Sequence, residues 1–124
     1  MSDELRGVVV CHGSLADALV RAAEQISGLN GALISVSNTG CDRETLEDRV
    51  LAAVDGRPAV VFVDLASGSC LFAVLKRLRT EQLVKVVTGV NLAMLVDFVF
   101  HRSLSPAEAA TRAAAAGEKS IRIP

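Results

Sequence analysis

Short apolar runs alternate with stripes of helical period along nearly the whole chain. The first run, Gly7-Val8-Val9-Val10-Cys11, is β-branched and has no polar alternation, so it reads as a strand buried on both faces. His12 and Gly13 end it, and the glycine permits a sharp turn. Leu15, Leu19, Ala22, Ala23 and Ile26 then recur at spacings of three and four, predicting a helix over 14–26. Ser14 is placed to cap it and Gly28 to stop it. Ala32-Leu33-Ile34-Ser35-Val36 reads as a second strand. Asp42 can cap a second helix whose inner face carries Leu46, Val50 and Ala53.

The same alternation continues. Pro58 precedes a third strand, Ala59-Val60-Val61-Phe62-Val63, which ends at Asp64. A Ser67-Gly68-Ser69 turn leads into a helix over 70–79, and residues 83–87 form a fourth strand. Thr88-Gly89 opens onto an apolar helix over 91–101. Ser105-Pro106-Ala107-Glu108 combines a capping serine, proline at the first helical position and glutamate at the third. The alanine-rich helix that follows is expected to end at Gly117, and residues 121–123 to form a short last strand.

Strands alternating with helices pair in parallel through right-handed crossovers, with helices on both faces. The expected fold is a three-layer α/β/α sandwich with a mainly parallel, doubly wound sheet of order 2-1-3-4 and a short C-terminal edge strand. No linker or repeat divides the chain, so residues 1–124 are read as one domain.

Composition narrows the function more than the fold. With 51% hydrophobic residues, the 124 residues suffice for a real core. A net charge of −1 gives no general attraction to nucleic acid or anionic membrane, and the absence of Trp and Tyr removes the usual base-stacking platforms. The polar segment from Met1 to Arg6 lacks the features of a signal peptide, and no apolar stretch is long enough to span a bilayer. The three cysteines suit no secreted disulfide framework, so a cytoplasmic protein is expected.

Two titratable residues fall at strand ends, His12 after the first strand and Asp64 after the third. In the order 2-1-3-4 both face the crevice where the strand order reverses. A carboxylate bonded to Nδ1–H fixes the imidazole tautomer and leaves Nε2 as a nucleophile. Ser67-Gly68-Ser69, opening a helix, can aim N–H groups and a hydroxyl at an anion. These parts suit a histidine that accepts a phosphoryl group. Each also has an ordinary structural explanation: a histidine as polar cap, an aspartate capping the next turn, a common Ser-Gly-Ser turn. A metal module built from His12, Cys11, Cys70 and Asp64 is the weaker alternative, since Cys11 and His12 are neighbours and point apart. No metal is expected.

Three blocks together resemble the mannose-type enzyme IIA domain of the bacterial sugar phosphotransferase system. Val8-Val9-Val10-Cys11-His12-Gly13-Ser14-Leu15-Ala16 is similar to its opening block. Phe62-Val63-Asp64-Leu65-Ala66-Ser67-Gly68-Ser69 resembles its aspartate followed by Gly-Gly-Ser-Pro. Thr88-Gly89-Val90-Asn91-Leu92-Ala93-Met94-Leu95 resembles its Gly-Val-Asn-Leu-Pro-Met-Leu segment. The resemblance implies that His12 is the phosphoacceptor and Asp64 its orienting carboxylate. Gly13, Gly68 and Ser69 would bind the phosphate, with Ser67, Gly89 and Asn91 in support. It further implies a carrier that takes phosphate from the histidine-containing protein HPr. The phosphate would pass to a IIB-type component or another acceptor, with no cofactor.

A homodimer that exchanges its last strand is implied as well, with membrane association only through partners such as a permease. Ser67, Cys70 and Ala93 depart from the family's blocks, at its first glycine and its two prolines. No IIB domain is expected behind Pro124, so a regulatory carrier is as consistent as a transport component. The phosphoryl-donor subunit of dihydroxyacetone kinases, which shares the fold and the histidine, is an alternative, as is a non-catalytic regulatory binding module. His101 has no evident carboxylate partner and reads as surface or interface.

Overall fold

The apolar runs fold into four parallel strands, β1 (Arg6–Cys11), β2 (Leu33–Ser37), β3 (Ala59–Val63) and β4 (Val84–Thr88), in the order β2-β1-β3-β4. The computed structural model describes residues 4–124; the first three residues of the polar N-terminal segment lie outside the described residues. Helices α1 (Leu15–Ser27), α2 (Arg43–Val54), α3 (Ser69–Leu78), α4 (Leu92–Val99) and α5 (Pro106–Lys119) cover the sheet. The three-layer architecture and strand order are those expected from the alternation.

Strand residues point alternately to the two faces, and the core divides accordingly. Val9, Cys11, Val60 and Phe62 pack with α1, α4 and α5. Val8, Val10, Val61 and Val63 pack with α2 and α3. Every residue of β3 is fully buried, and each such valine contributes about 1.5–3 kcal/mol relative to exposure. Phe62 meets Phe98 of α4 edge to face, with centroids 5.4 Å apart. The central strands are thereby fixed, which holds their C-terminal ends in place.

Several local expectations change. In α1 the packed face is Ala16, Val20 and Ala23, whereas Leu15 and Ile26 are exposed. Small residues let the helix approach the sheet closely. Ser14 precedes α1 without a side-chain capping bond, while Asp42 caps α2 by accepting from the Thr45 N–H at 2.8 Å. Leu46, Val50 and Ala53 face inward as expected. Helix α4 is shorter than predicted, with Asn91 as its N-cap and Phe100 as its C-cap.

Gly117 does not stop α5; it lies buried within it. A Cβ there would lie 2.6 Å from the Met94 side chain, so glycine serves close packing of α4 on α5. Residues 121–124 form no strand, and the sheet has four strands among the described residues. Ile121 and Ile123 are exposed, and among the described residues no strand receives them. His101 does have a nearby carboxylate: Asp97, one helical turn earlier, places Oδ1 at 3.6 Å from its Nδ1. No helix among the described residues is long and apolar enough to cross a membrane.

Candidate functional site

The C-terminal ends of β1, β2 and β3 gather the polar groups that follow each strand, at the point where the strand order reverses. Backbone bonds knit these ends together. The Asp64 N–H donates to the Val10 carbonyl at 3.3 Å, and the Asn38 N–H donates to the Cys11 carbonyl at 3.4 Å. His12 and Asp64, 52 positions apart in sequence, become neighbours through this pairing.

One carboxylate oxygen anchors the histidine twice. Asp64 Oδ2 accepts from the His12 backbone N–H at 2.8 Å and lies 2.8 Å from His12 Nδ1. An ionised carboxylate only accepts, so the neutral ring carries its proton on Nδ1 and leaves the Nε2 lone pair free. Asp64 Oδ1 accepts from the Leu65 N–H at 3.0 Å. Burial opposes ionisation of Asp64, but the bonds from His12 and Leu65 outweigh it and hold the carboxyl below its ordinary value of 3.8. The Asp64 side chain is 8% exposed and that of His12 41%. The anchored Nδ1 side of the ring is inside and the Nε2 edge outside.

Beside Nε2 lies the start of α3. Ser69 Oγ is 3.5 Å from Nε2, at the outer limit of a hydrogen bond. The first helical bond of α3 runs from the Phe72 N–H to the Gly68 carbonyl, so the N–H groups ahead of it are unused by the helix and favour an anion. Gly68 has φ +94° and ψ −175°, a region essentially confined to glycine. A Cβ at this position would touch the imidazole at 3.8 Å. The chain therefore bends back beside the ring at the residue best able to do so.

Two residues that the sequence reading passed over complete the surround. Asn38 Oδ1 accepts from the Gly13 N–H at 3.0 Å, and the Ser37 hydroxyl donates to the Gly13 carbonyl at 2.6 Å. They clamp the turn that follows His12. Their signal was available: Ser37-Asn38-Thr39 is a polar run at the end of the strand beside β1. A cleft of about 270 Å³, lined by Asn38, Cys41, Asp42, Arg43, Leu46 and Ser69, opens next to the site.

Of the four groups weighed as metal ligands, three converge. The ligand atoms of His12, Asp64 and Cys70 all lie within 4.8 Å of one another, with Cys70 Sγ 3.7 Å from His12 Nδ1. Cys11 instead packs in the core on the α1 side of the sheet. Burial, then the Asp64 charge, pushes the Cys70 thiol up to about 11 and the Cys11 thiol up to about 12. Both are protonated and weakly nucleophilic at neutral pH.

The remaining sequence candidates lie apart from the ring. Ser67 is exposed on the turn and makes no hydrogen bond to His12. Gly89 follows β4, on the far side of β3 from β1. The Asn91 side chain accepts from the Met94 N–H at 3.1 Å and donates to the Gly117 carbonyl at 3.2 Å. It ties α4 to α5 rather than reaching the imidazole.

With this geometry in place, the comparisons with known proteins are specific. The family model described as the PTS system fructose IIA component, of the mannose-type EIIA class, matches residues 7–115. Phosphotransferase system component EIIA from Streptococcus agalactiae superposes with a TM-score of 0.88 at 19% identity, over 96% of each chain. The mannose/sorbose-specific IIA subunit from Enterococcus faecalis gives 0.86 at 19% identity, covering 98% of this chain and 95% of that one. A sigma-54 interaction domain protein from Enterococcus faecalis gives 0.71 at 14% identity, covering 96% of this chain and 94% of that one. These likenesses show a shared fold. No curated protein matches the sequence.

Proposed function

The chain belongs to the mannose-type IIA component family of the sugar phosphotransferase system, and from that premise we propose that it is a phosphohistidine carrier loaded on His12 Nε2. The observation that carries this reading is the pair of 2.8 Å contacts from Asp64 Oδ2 to His12, which leaves Nε2 facing outward beside the start of α3.

In the proposed exchange, the Nε2 lone pair attacks the phosphorus of phospho-HPr. The new P–N bond forms as the bond to the HPr imidazole breaks, and that imidazole leaves with the electron pair. His12 keeps its Nδ1 proton throughout, and Asp64 balances the positive charge that develops on the ring. The Ser69 hydroxyl and the N–H groups opening α3 stabilise the equatorial oxygens, a contribution of positioning and electrostatics that needs no cofactor. Gly13 and Gly68 shape the turns that bring these groups to the phosphoryl. The reverse geometry passes the group to a IIB-type component or another acceptor. Gly89, Asn91 and Ser67 act at a distance, through the loops they shape.

The carrier is proposed to work in the cytoplasm as a homodimer and to reach a permease only through its partners. The exposed Ile121 and Ile123, together with a β4 edge that pairs with no strand among the described residues, support the dimer.

Incubation with phosphoenolpyruvate, enzyme I and HPr tests the central claim. One acid-labile phosphate per chain is expected by mass, absent from His12→Ala. No adduct with active donors overturns the reading.

A further inference from the structure

We propose that His12, Asp64 and Cys70 form a binding site for a thiophilic divalent cation, Zn²⁺ in the first instance, and that metal held there blocks phosphorylation of His12. The binding stands on geometry alone; the block rests on the phosphocarrier reading above.

Three separate elements converge on the site: His12 from the end of β1, Asp64 from the end of β3, and Cys70 from the first turn of α3. Nitrogen, oxygen and sulfur together form a donor set that zinc accepts, and all three atoms lie within 4.8 Å of one another. A tetrahedral zinc with ordinary bond lengths holds nitrogen and sulfur about 3.6 Å apart; here Nδ1 and Sγ are 3.7 Å apart. Nitrogen and oxygen on such an ion are about 3.3 Å apart, so the 2.8 Å contact between Nδ1 and Oδ2 must open slightly. The cleft lined by Asn38, Cys41 and Ser69 lies next to the three ligands, Ser69 being the residue before Cys70. Cys70 occupies a position where the resembled block carries proline.

The block follows from proton positions. Metal on Nδ1 displaces the proton that Asp64 holds there. The neutral ring then carries its single proton on Nε2, and the thiol proton passes to solvent. The nucleophilic lone pair is gone, and Asp64 is engaged by the metal. No redox step is involved. Zinc and phosphate thus require opposite tautomers of one ring, and occupancy by one excludes the other.

Titration of the metal-free protein with Co²⁺ tests binding without reference to phosphate. Wild type is expected to develop a near-ultraviolet thiolate-to-cobalt charge-transfer band that saturates at one ion per chain and is displaced by Zn²⁺. Cys70→Ala, Cys70→Ser and His12→Ala should lose the band, while Cys41→Ala keeps it; circular dichroism identifies which variants are folded. Absence of the band in wild type overturns the site, as does its persistence in either folded Cys70 variant.

The second arm adds purified phospho-HPr with and without Zn²⁺. Zinc should suppress phosphorylation of wild type, reversibly with chelator, and leave a folded Cys70 variant at its own zinc-free rate. Equal suppression of both overturns the block. If wild type accepts no phosphate even after chelation, the carrier reading falls and the block with it, while the cobalt band still decides the site.

Discussion

His12 and His101 are the chain's two histidines, and each has an aspartate near Nδ1. In His101 the Nδ1–H donates to the Asp97 backbone carbonyl at 2.7 Å, with the carboxylate at 3.6 Å. Both rings are therefore held with Nδ1 as donor and Nε2 available. A fixed tautomer is thus common to both and cannot by itself make a phosphoacceptor. What differs is the electrostatic setting of Nε2. The Nε2 of His12 lies beside the start of α3, where the helix dipole and unused N–H groups favour an anion. His101 lies just past the C-cap of α4, where carbonyl oxygens repel one. Its aspartate comes from one helical turn earlier in the same segment, whereas Asp64 comes from a neighbouring strand and is anchored by backbone as well as ring.

The largest effect expected to separate the two regions is loss of the proposed acceptor. His12→Ala should abolish phosphate uptake, and His101→Ala should leave it intact, as read by mass after transfer from phospho-HPr. Uptake by His12→Ala, or its loss in His101→Ala, breaks the comparison outright.

Asp64→Asn comes next, with transfer expected to slow about 10- to 100-fold because the amide no longer fixes the tautomer or balances the ring charge. The same substitution has a pH signature. The folded carboxyl of Asp64 is held below its ordinary value of 3.8, so its ionised form is favoured by folding. The stability it supplies is fully present above that ordinary value and is lost as pH falls through the lower folded one. Denaturation midpoints measured from about pH 5 to pH 2 should therefore fall more steeply for wild type than for Asp64→Asn. Parallel curves remove the charged role assigned to Asp64.

The strand framework was legible because β1 and β3 are apolar on both faces, which only a sheet covered by helices explains. The His12–Asp64 pair followed from strand order. Side-chain size misled elsewhere. Leu15 and Ile26 drew the expected face of α1, but alanine packs closer, and the helix turned its small residues inward. Gly117 read as a stop because glycine usually ends helices; its purpose is clearance for Met94, a contact 23 positions away in sequence that no local pattern carries. The 121–123 segment has strand-like residues but no partner strand among the described residues. Asn38 was missed although it lies in a polar run at the end of the strand expected beside β1, because the backbone N–H it serves, that of Gly13, is 25 positions away in sequence.

Two smaller effects sharpen the contrast between the histidines. Gly68→Ala should cost about 1–3 kcal/mol through its backbone conformation, since the added methyl itself meets only ordinary contact with the ring. Chemical denaturation measures the cost, and phosphate uptake should slow in parallel; an unchanged midpoint shows that the turn is not strained. Asn38→Ala removes the acceptor for the Gly13 N–H and should cost about 1 kcal/mol or less at this exposed bond. The expected result is a modest drop in transfer rate with a nearly unchanged midpoint. A normal rate would show that the clamp on Gly13 is dispensable for positioning His12.

The double anchoring of His12 on one oxygen has a consequence for how a carrier handles traffic. In the proposed carrier, ring and backbone are both fastened to Asp64, so loading and unloading would use the same outward nitrogen. Donor and acceptor then take turns at a single port and cannot engage together. Under such an arrangement the loaded fraction of the population rises when supply outruns withdrawal and falls when it does not, as the voltage on a capacitor follows current in against current out. A fixed ring thereby turns a transfer rate into a quantity that another protein can read.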